Sequence, residues 1–110
     1  MIKKISGYRL MWMMVMFDLP VLTKEEVKEA NNFRKLLLGL GFEMAQFSVY
    51  TRFVGPKEKS GKYIRKIKEN LPPEGKVDIV FFTDKQYENI ISLLGGNGKS
   101  RRKTEKYLQF

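Results

Sequence analysis

A chain of 110 residues with 43% hydrophobic and 30% charged residues is sized and balanced for one soluble globular domain. Its 21 Lys and Arg against 12 Asp and Glu leave a formal net charge of +9, which points to a polyanionic partner, nucleic acid first and an acidic membrane surface second. Cysteine and histidine are both absent, which excludes disulfides, thiolate or imidazole metal sites and every Ser-His nucleophile; any catalysis must rest on carboxylates, a metal, lysine or tyrosine.

In chain order, Met1 to Arg9 is a basic lead-in, and Leu10 to Pro20, LMWMMVMFDLP, follows with eight consecutive apolar residues. A run that short suits a strand buried on both faces, and it is too short to span a bilayer. Lys3, Lys4 and Arg9 imitate the start of a signal peptide, but no small-x-small cleavage site follows, so a cytoplasmic protein with no membrane partner is expected. Pro20 stops the strand and holds Leu19 extended, which places Asp18 at the carboxyl end, where the backbone leaves the sheet. A lone Asp there is most often a turn or cap residue; its other use is as an oxygen ligand.

Thr23 and Glu26 form a capping box with Leu22 and Val27 at the staple positions, so a helix begins at Lys24. Val27, Ala30, Phe33 or Arg34, Leu37 and Leu40 recur at helical spacing, and Gly39 and Gly41 offer the left-handed position that ends it. Phe42 to Val54 is aromatic and β-branched and reads as two strands, or one bent strand, broken near Gln46 to Ser48. Gly55-Pro56 opens a second helix with Tyr63, Ile64, Ile67 and Leu71 on its apolar side, ended by Pro72-Pro73. Lys76 to Phe82 is a strand, and Thr83 with Gln86 caps a short third helix carrying Tyr87, Ile90, Ile91 and Leu94. Gly95 to Gly98 is a hinge, Lys99 to Lys106 holds five basic residues against Glu105, and Tyr107 to Phe110 is a strand-like end. The domain expectation is therefore a folded unit over 1–95 and, over 96–110, a basic hinge with a terminal strand.

Strand, helix, strand pair, helix, strand is the α+β, ferredoxin-like split βαβ order, which puts both main helices on one face of an antiparallel sheet. The first strand and Val77 to Phe82 are apolar at nearly every position, so the second sheet face needs a cover, and a second copy of the chain supplies one most economically. Two sheets would then pack face to face in a homodimer. Asp18 would have a twin across the axis, giving the two carboxylates that a hard cation such as magnesium accepts. Glu43, Asp78 and Asp84 are read as surface or cap residues, Ser48 as a strand-bend hydroxyl, and Phe47, Tyr50 and Phe53 as core rather than base-stacking residues. For nucleic-acid backbone contact the candidates are Lys24, Lys28, Arg34, Lys35 and Arg52, together with the segment from Lys57 to Lys68 and the tail.

Met16-Phe17-Asp18-Leu19-Pro20, then Phe33-Arg34-Lys35-Leu36-Leu37, Gly41-Phe42 and Gln46-Phe47-Ser48-Val49-Tyr50 together resemble the CRISPR-associated protein two family, especially the forms accompanying type II systems. The resemblance runs from Met11 to about Ile91. It implies a ferredoxin-like homodimer with the strand-one Asp at the subunit interface, a magnesium-dependent endonuclease of RNA or double-stranded DNA. It further implies a scaffold in spacer acquisition that bridges two dimers of the integrase subunit and holds the incoming DNA. Asp18 is the metal and catalytic residue it carries over. Tyr107, Leu108, Gln109 and Phe110 fall where relatives dock the integrase, and they are expected to add as a strand to the partner's sheet edge. A stand-alone metal-dependent ribonuclease or deoxyribonuclease and a ferredoxin-like RNA-binding module are the other two readings.

Overall fold

The structure is a computed structural model, and it describes residues 10–95. The expected terminal strand Tyr107 to Phe110 and the basic hinge after Gly95 lie outside the described residues. Strand β1 spans Met11–Asp18, helix α1 Lys24–Gly39, β2 Glu43–Gln46, β3 Val49–Gly55, α2 Gly61–Glu69, β4 Lys76–Thr83 and α3 Asp84–Glu88, with a 3-10 turn at Lys57–Ser60 leading into α2. One four-stranded sheet has the order β2-β3-β1-β4. Every neighbouring pair is antiparallel. This is the ferredoxin-like topology that the element order predicts, with β1 central.

Local chemistry sets the element ends. The Thr23 hydroxyl accepts from the Glu26 backbone N–H at 3.0 Å, and the Glu26 carboxylate accepts in return from the Thr23 N–H at 3.1 Å. Those bonds satisfy donors the first helical turn leaves open. The staple positions do not close around them, since Leu22 stays 92% exposed. Gly41 takes φ +91 just after α1, which returns the chain into the sheet. The strand pair breaks at Phe47 and Ser48, Ser48 adopting a positive φ of 71 while its carbonyl accepts from the Phe17 N–H.

Alternation along β1 sends Met13 and Val15 into the core, both fully buried. Phe33 and Leu37 of α1, Tyr50 and Val54 of β3, and Tyr63 and Ile67 of α2 close around them, so both main helices lie on one sheet face. Each large side chain buried there contributes about 1.5–3 kcal/mol. Phe17 joins this core edge-on to Phe33, with ring centroids 5.2 Å apart.

The other face presents Trp12, Met14 and Met16 of β1, cross-strand from Phe53, Thr51 and Val49 of β3 and from Phe82, Val80 and Asp78 of β4. Here two expectations are corrected. The third helix stops at Glu88, and residues 90–94 are not helical. Leaving the short helix at Asn89, the chain turns Ile90, Ile91, Leu93 and Leu94 outward, each more than half exposed. Nor is the face bare along its whole length, because α3 folds back over one end. Tyr87 stacks on Trp12 with centroids 3.7 Å apart and 8° between rings, and the Trp12 indole N–H donates to Asp84 at 2.8 Å. Between this roof and the sheet lies a groove of about 620 Å³, floored by Met14, Val49 and Thr51. Of the three aromatics read as core, only Tyr50 is; Phe53 lies on the open face against Trp12, and Phe47 sits at the exposed strand turn.

Candidate functional site

Asp18 is the last residue of β1 and is exposed. Two features fix its backbone. It lies in register with Lys76, the first residue of β4. Gly75, with φ +102, approaches so closely that a Cβ there would lie 2.8 Å from the Asp18 carbonyl oxygen. By alternation the Asp18 side chain stands on the same face as Trp12, Met14 and Met16, so the carboxylate is at the rim of the open apolar surface and away from the helices. The neighbouring acid on that face, Asp78, is engaged by Lys76 at 3.6 Å.

Among the described residues no group of three or more Asp, Glu, His or Cys converges. Magnesium, however, is usually bound through one or two carboxylates with water and substrate phosphate completing its shell. An Asp at the rim of an uncovered face fits that habit when a second copy brings a second Asp18.

The basic candidates separate in space. Lys24, Lys28 and Lys35 are exposed and recur on the side of α1 opposite Ala30, Phe33 and Leu37, forming one solvent-facing row. Arg34 is on the flank, its guanidinium 5.5 Å above the Phe47 ring and donating to Asn31 at 2.9 Å. Arg52 is different from what the sequence suggests. It is half-buried, donates from Nε to the Leu40 carbonyl and from Nη1 to the Phe53 carbonyl, both at 3.0 Å, and lies 4.7 Å above the Tyr63 ring. Its position opposite Met13 puts it on the helix side of the sheet, where it ties the end of α1 to α2. Tyr50, beneath this layer, has its hydroxyl pKa raised by burial, with Arg34 pulling the other way.

Ser48 forms the strand turn as expected, whereas Asp84, expected to be a surface or cap residue, is half-buried and accepts from the Trp12 indole across the fold. Gly75 was missed. The Pro72-Pro73-Glu74-Gly75 run carried its signal, since glycine after prolines commonly supplies a positive φ in a turn.

The model of the family described as CRISPR associated protein Cas2 matches residues 11–90. The chain belongs to the Cas2 family. A relative from Paracidovorax avenae, named CRISPR-associated endoribonuclease Cas2, is 52% identical over 102 residues, covering 93% of this chain and 92% of the relative. Relatives of the same name from Flavobacterium psychrophilum and Streptococcus mutans are 43% and 38% identical, covering 76% and 91% of this chain and 73% and 92% of their own lengths. A solved structure described as a crystal structure of cas2 superposes with a TM-score of 0.57 at 22% identity, covering 79% of this chain and 87% of that one, and so shares the fold. Among the described residues no helix is long and apolar enough to cross a membrane.

Proposed function

We infer that this Cas2-family chain works as a two-fold dimer in CRISPR adaptation, holding duplex DNA and bridging dimers of the integrase subunit, with a magnesium-dependent endonuclease site where two copies of Asp18 meet. The observation that carries this reading is the placement of Asp18 at the rim of a sheet face that the main helices leave uncovered. An isologous contact across that face brings any rim residue near its own copy, provided it lies close to the axis. Relatives named endoribonuclease support phosphodiester cleavage as the activity.

The two Asp18 carboxylates would hold a magnesium ion there, and its chemistry when bound would be to polarise a phosphoryl oxygen and lower the pKa of a water. The chain's own part is to hold the carboxylate still, by the β1–β4 register and the Gly75 approach, and to meet the nucleic-acid backbone with the α1 row Lys24, Lys28 and Lys35 and with Arg34 beside it. The tail residues Tyr107, Leu108, Gln109 and Phe110 are assigned to the partner's sheet edge and to integrase docking. A base-stacking RNA module is disfavoured, because aromatic rings of the open face stack on one another, Trp12 on Tyr87.

Asp18→Asn tests the reading, since it keeps the side-chain shape and removes the charge. The variant should fold, dimerise and bind DNA as the native chain does, lose magnesium-dependent cleavage, and still support spacer integration with the integrase subunit. Undiminished cleavage removes Asp18 from the site. Loss of integration by a folded, partner-binding variant overturns the scaffold role.

A further inference from the structure

The helix layer carries two hollows of different charge. At the Asp18 end, Glu25, Glu26, Glu29 and Glu74 line a small hollow beside Leu19 and Pro20, while Lys24 and Lys28 stand on the outward side of α1. The opposite end carries a second hollow of about 320 Å³, lined by Gly39 and Leu40 from the end of α1 and by Lys62, Tyr63, Arg65 and Lys66 from α2. No acid lines it. Lys62, Arg65 and Lys66 are exposed, stand at the i, i+3, i+4 spacing that puts side chains on one helix flank, and make no ion pair among the described residues. Gly39 leaves open space beside them, as nothing lies within 4 Å of where its Cβ would be.

This arrangement opposes stability on two counts. Like charges one turn apart repel, and Lys62 lies in the first turn of α2, where the helix dipole favours an anion and no acid is present. A bound anion would relieve both. The ring in the hollow does not serve as a stacking platform: Tyr63 is 9% exposed, with Arg52 at 4.7 Å and Lys62 at 5.2 Å from its centroid. Single strands are gripped largely by aromatic stacking, whereas duplexes are gripped by charge on the backbone.

Resting on the nucleic-acid reading above, we propose that Lys62, Arg65 and Lys66 form a phosphate-backbone contact for duplex DNA, on the helix layer at the end remote from Asp18 of the same chain. Eight-residue β1 is roughly 25 Å long, about the rise of seven base pairs of duplex.

The test is fluorescence anisotropy with a duplex DNA oligonucleotide and with one of its strands, over a series of salt concentrations, on the full chain. Each phosphate contact contributes about 0.9 to the log–log salt slope. Changing Lys62→Ala, Arg65→Ala and Lys66→Ala together should flatten the duplex slope by about 2–3, and Arg65→Ala alone by about 1. The charge-keeping set Lys62→Arg, Arg65→Lys and Lys66→Arg should retain the slope. A native slope in the folded triple variant overturns this contact while leaving the DNA-binding reading intact; no binding by the native chain overturns both. A single strand that binds as tightly as the duplex and is weakened equally by the triple change overturns the duplex assignment.

Discussion

Gly75 and Asp18 touch through backbone: a Cβ on Gly75 would fall 2.8 Å from the Asp18 carbonyl oxygen and equally close to Leu19 Cδ2. The first of these neighbours is main chain and cannot swing aside, and φ +102 at Gly75 is itself unfavourable for a side chain. Gly75→Ala should therefore cost about 1–3 kcal/mol and displace the end of β1. Denaturant unfolding measures the first effect. The amide chemical shifts of Asp18 and Leu19 report the second, and an unchanged spectrum would show that the loop absorbs the methyl elsewhere.

Val80 lies at the middle of the open face, in register with Met14 and 39% exposed, so the monomer can tolerate a charge there. Across a two-fold interface the same charge is buried twice without a partner, at about 3–5 kcal/mol for each such burial. Val80→Glu should weaken self-association on the order of 10⁴–10⁷-fold and leave the far-ultraviolet circular dichroism unchanged. Light scattering over a dilution series decides it; a native chain that is already monomeric at micromolar concentration ends the dimer reading.

Trp12 is the sole tryptophan, so its stack on Tyr87 has a direct optical readout. An aromatic pair of this kind contributes about 0.5–1.5 kcal/mol beyond the area it buries. Tyr87→Ala should lower stability by at least that amount and shift Trp12 emission to the red as water reaches the indole. Emission unchanged from the native chain would mean that α3 stays docked through the Trp12 to Asp84 hydrogen bond alone.

Burial raises the Tyr50 hydroxyl above its ordinary 10.0. The unfolded chain then releases that proton first, so the stability linked to Tyr50 is complete below about pH 10 and is lost as pH rises through the higher folded value. Tyr50→Phe cannot ionise and should lose less stability than the native chain over that alkaline window. Thermal melts of the two proteins across the range make the comparison, and parallel curves would assign the alkaline loss to other groups.

Sequence alone determined the features that are local. Thr23-x-x-Glu26 and Thr83-x-x-Gln86 became capping boxes because both partners sit within one turn and need no tertiary help. Asp18 ended β1 because Leu19-Pro20 cannot continue a ladder, and the strand pair broke at Phe47 and Ser48, within the Gln46 to Ser48 stretch. The element order then carried the fold. Tertiary structure decided what depends on residues far apart in the chain. In the run Met-Trp-Met-Met-Val-Met-Phe both alternating sets are apolar, so period-two reading could not say which side was core; pairing with β3 and β4 and the placement of the helices did. Arg52 looked like any exposed cation until Leu40 and Tyr63 were brought to it across the helix layer. Likewise the basic segment Lys57 to Lys68 was legible in the sequence, whereas the hollow that the end of α1 closes beside Lys62, Arg65 and Lys66 was not. A side chain's chemistry is written in the sequence, whereas its orientation and its neighbours are set by packing.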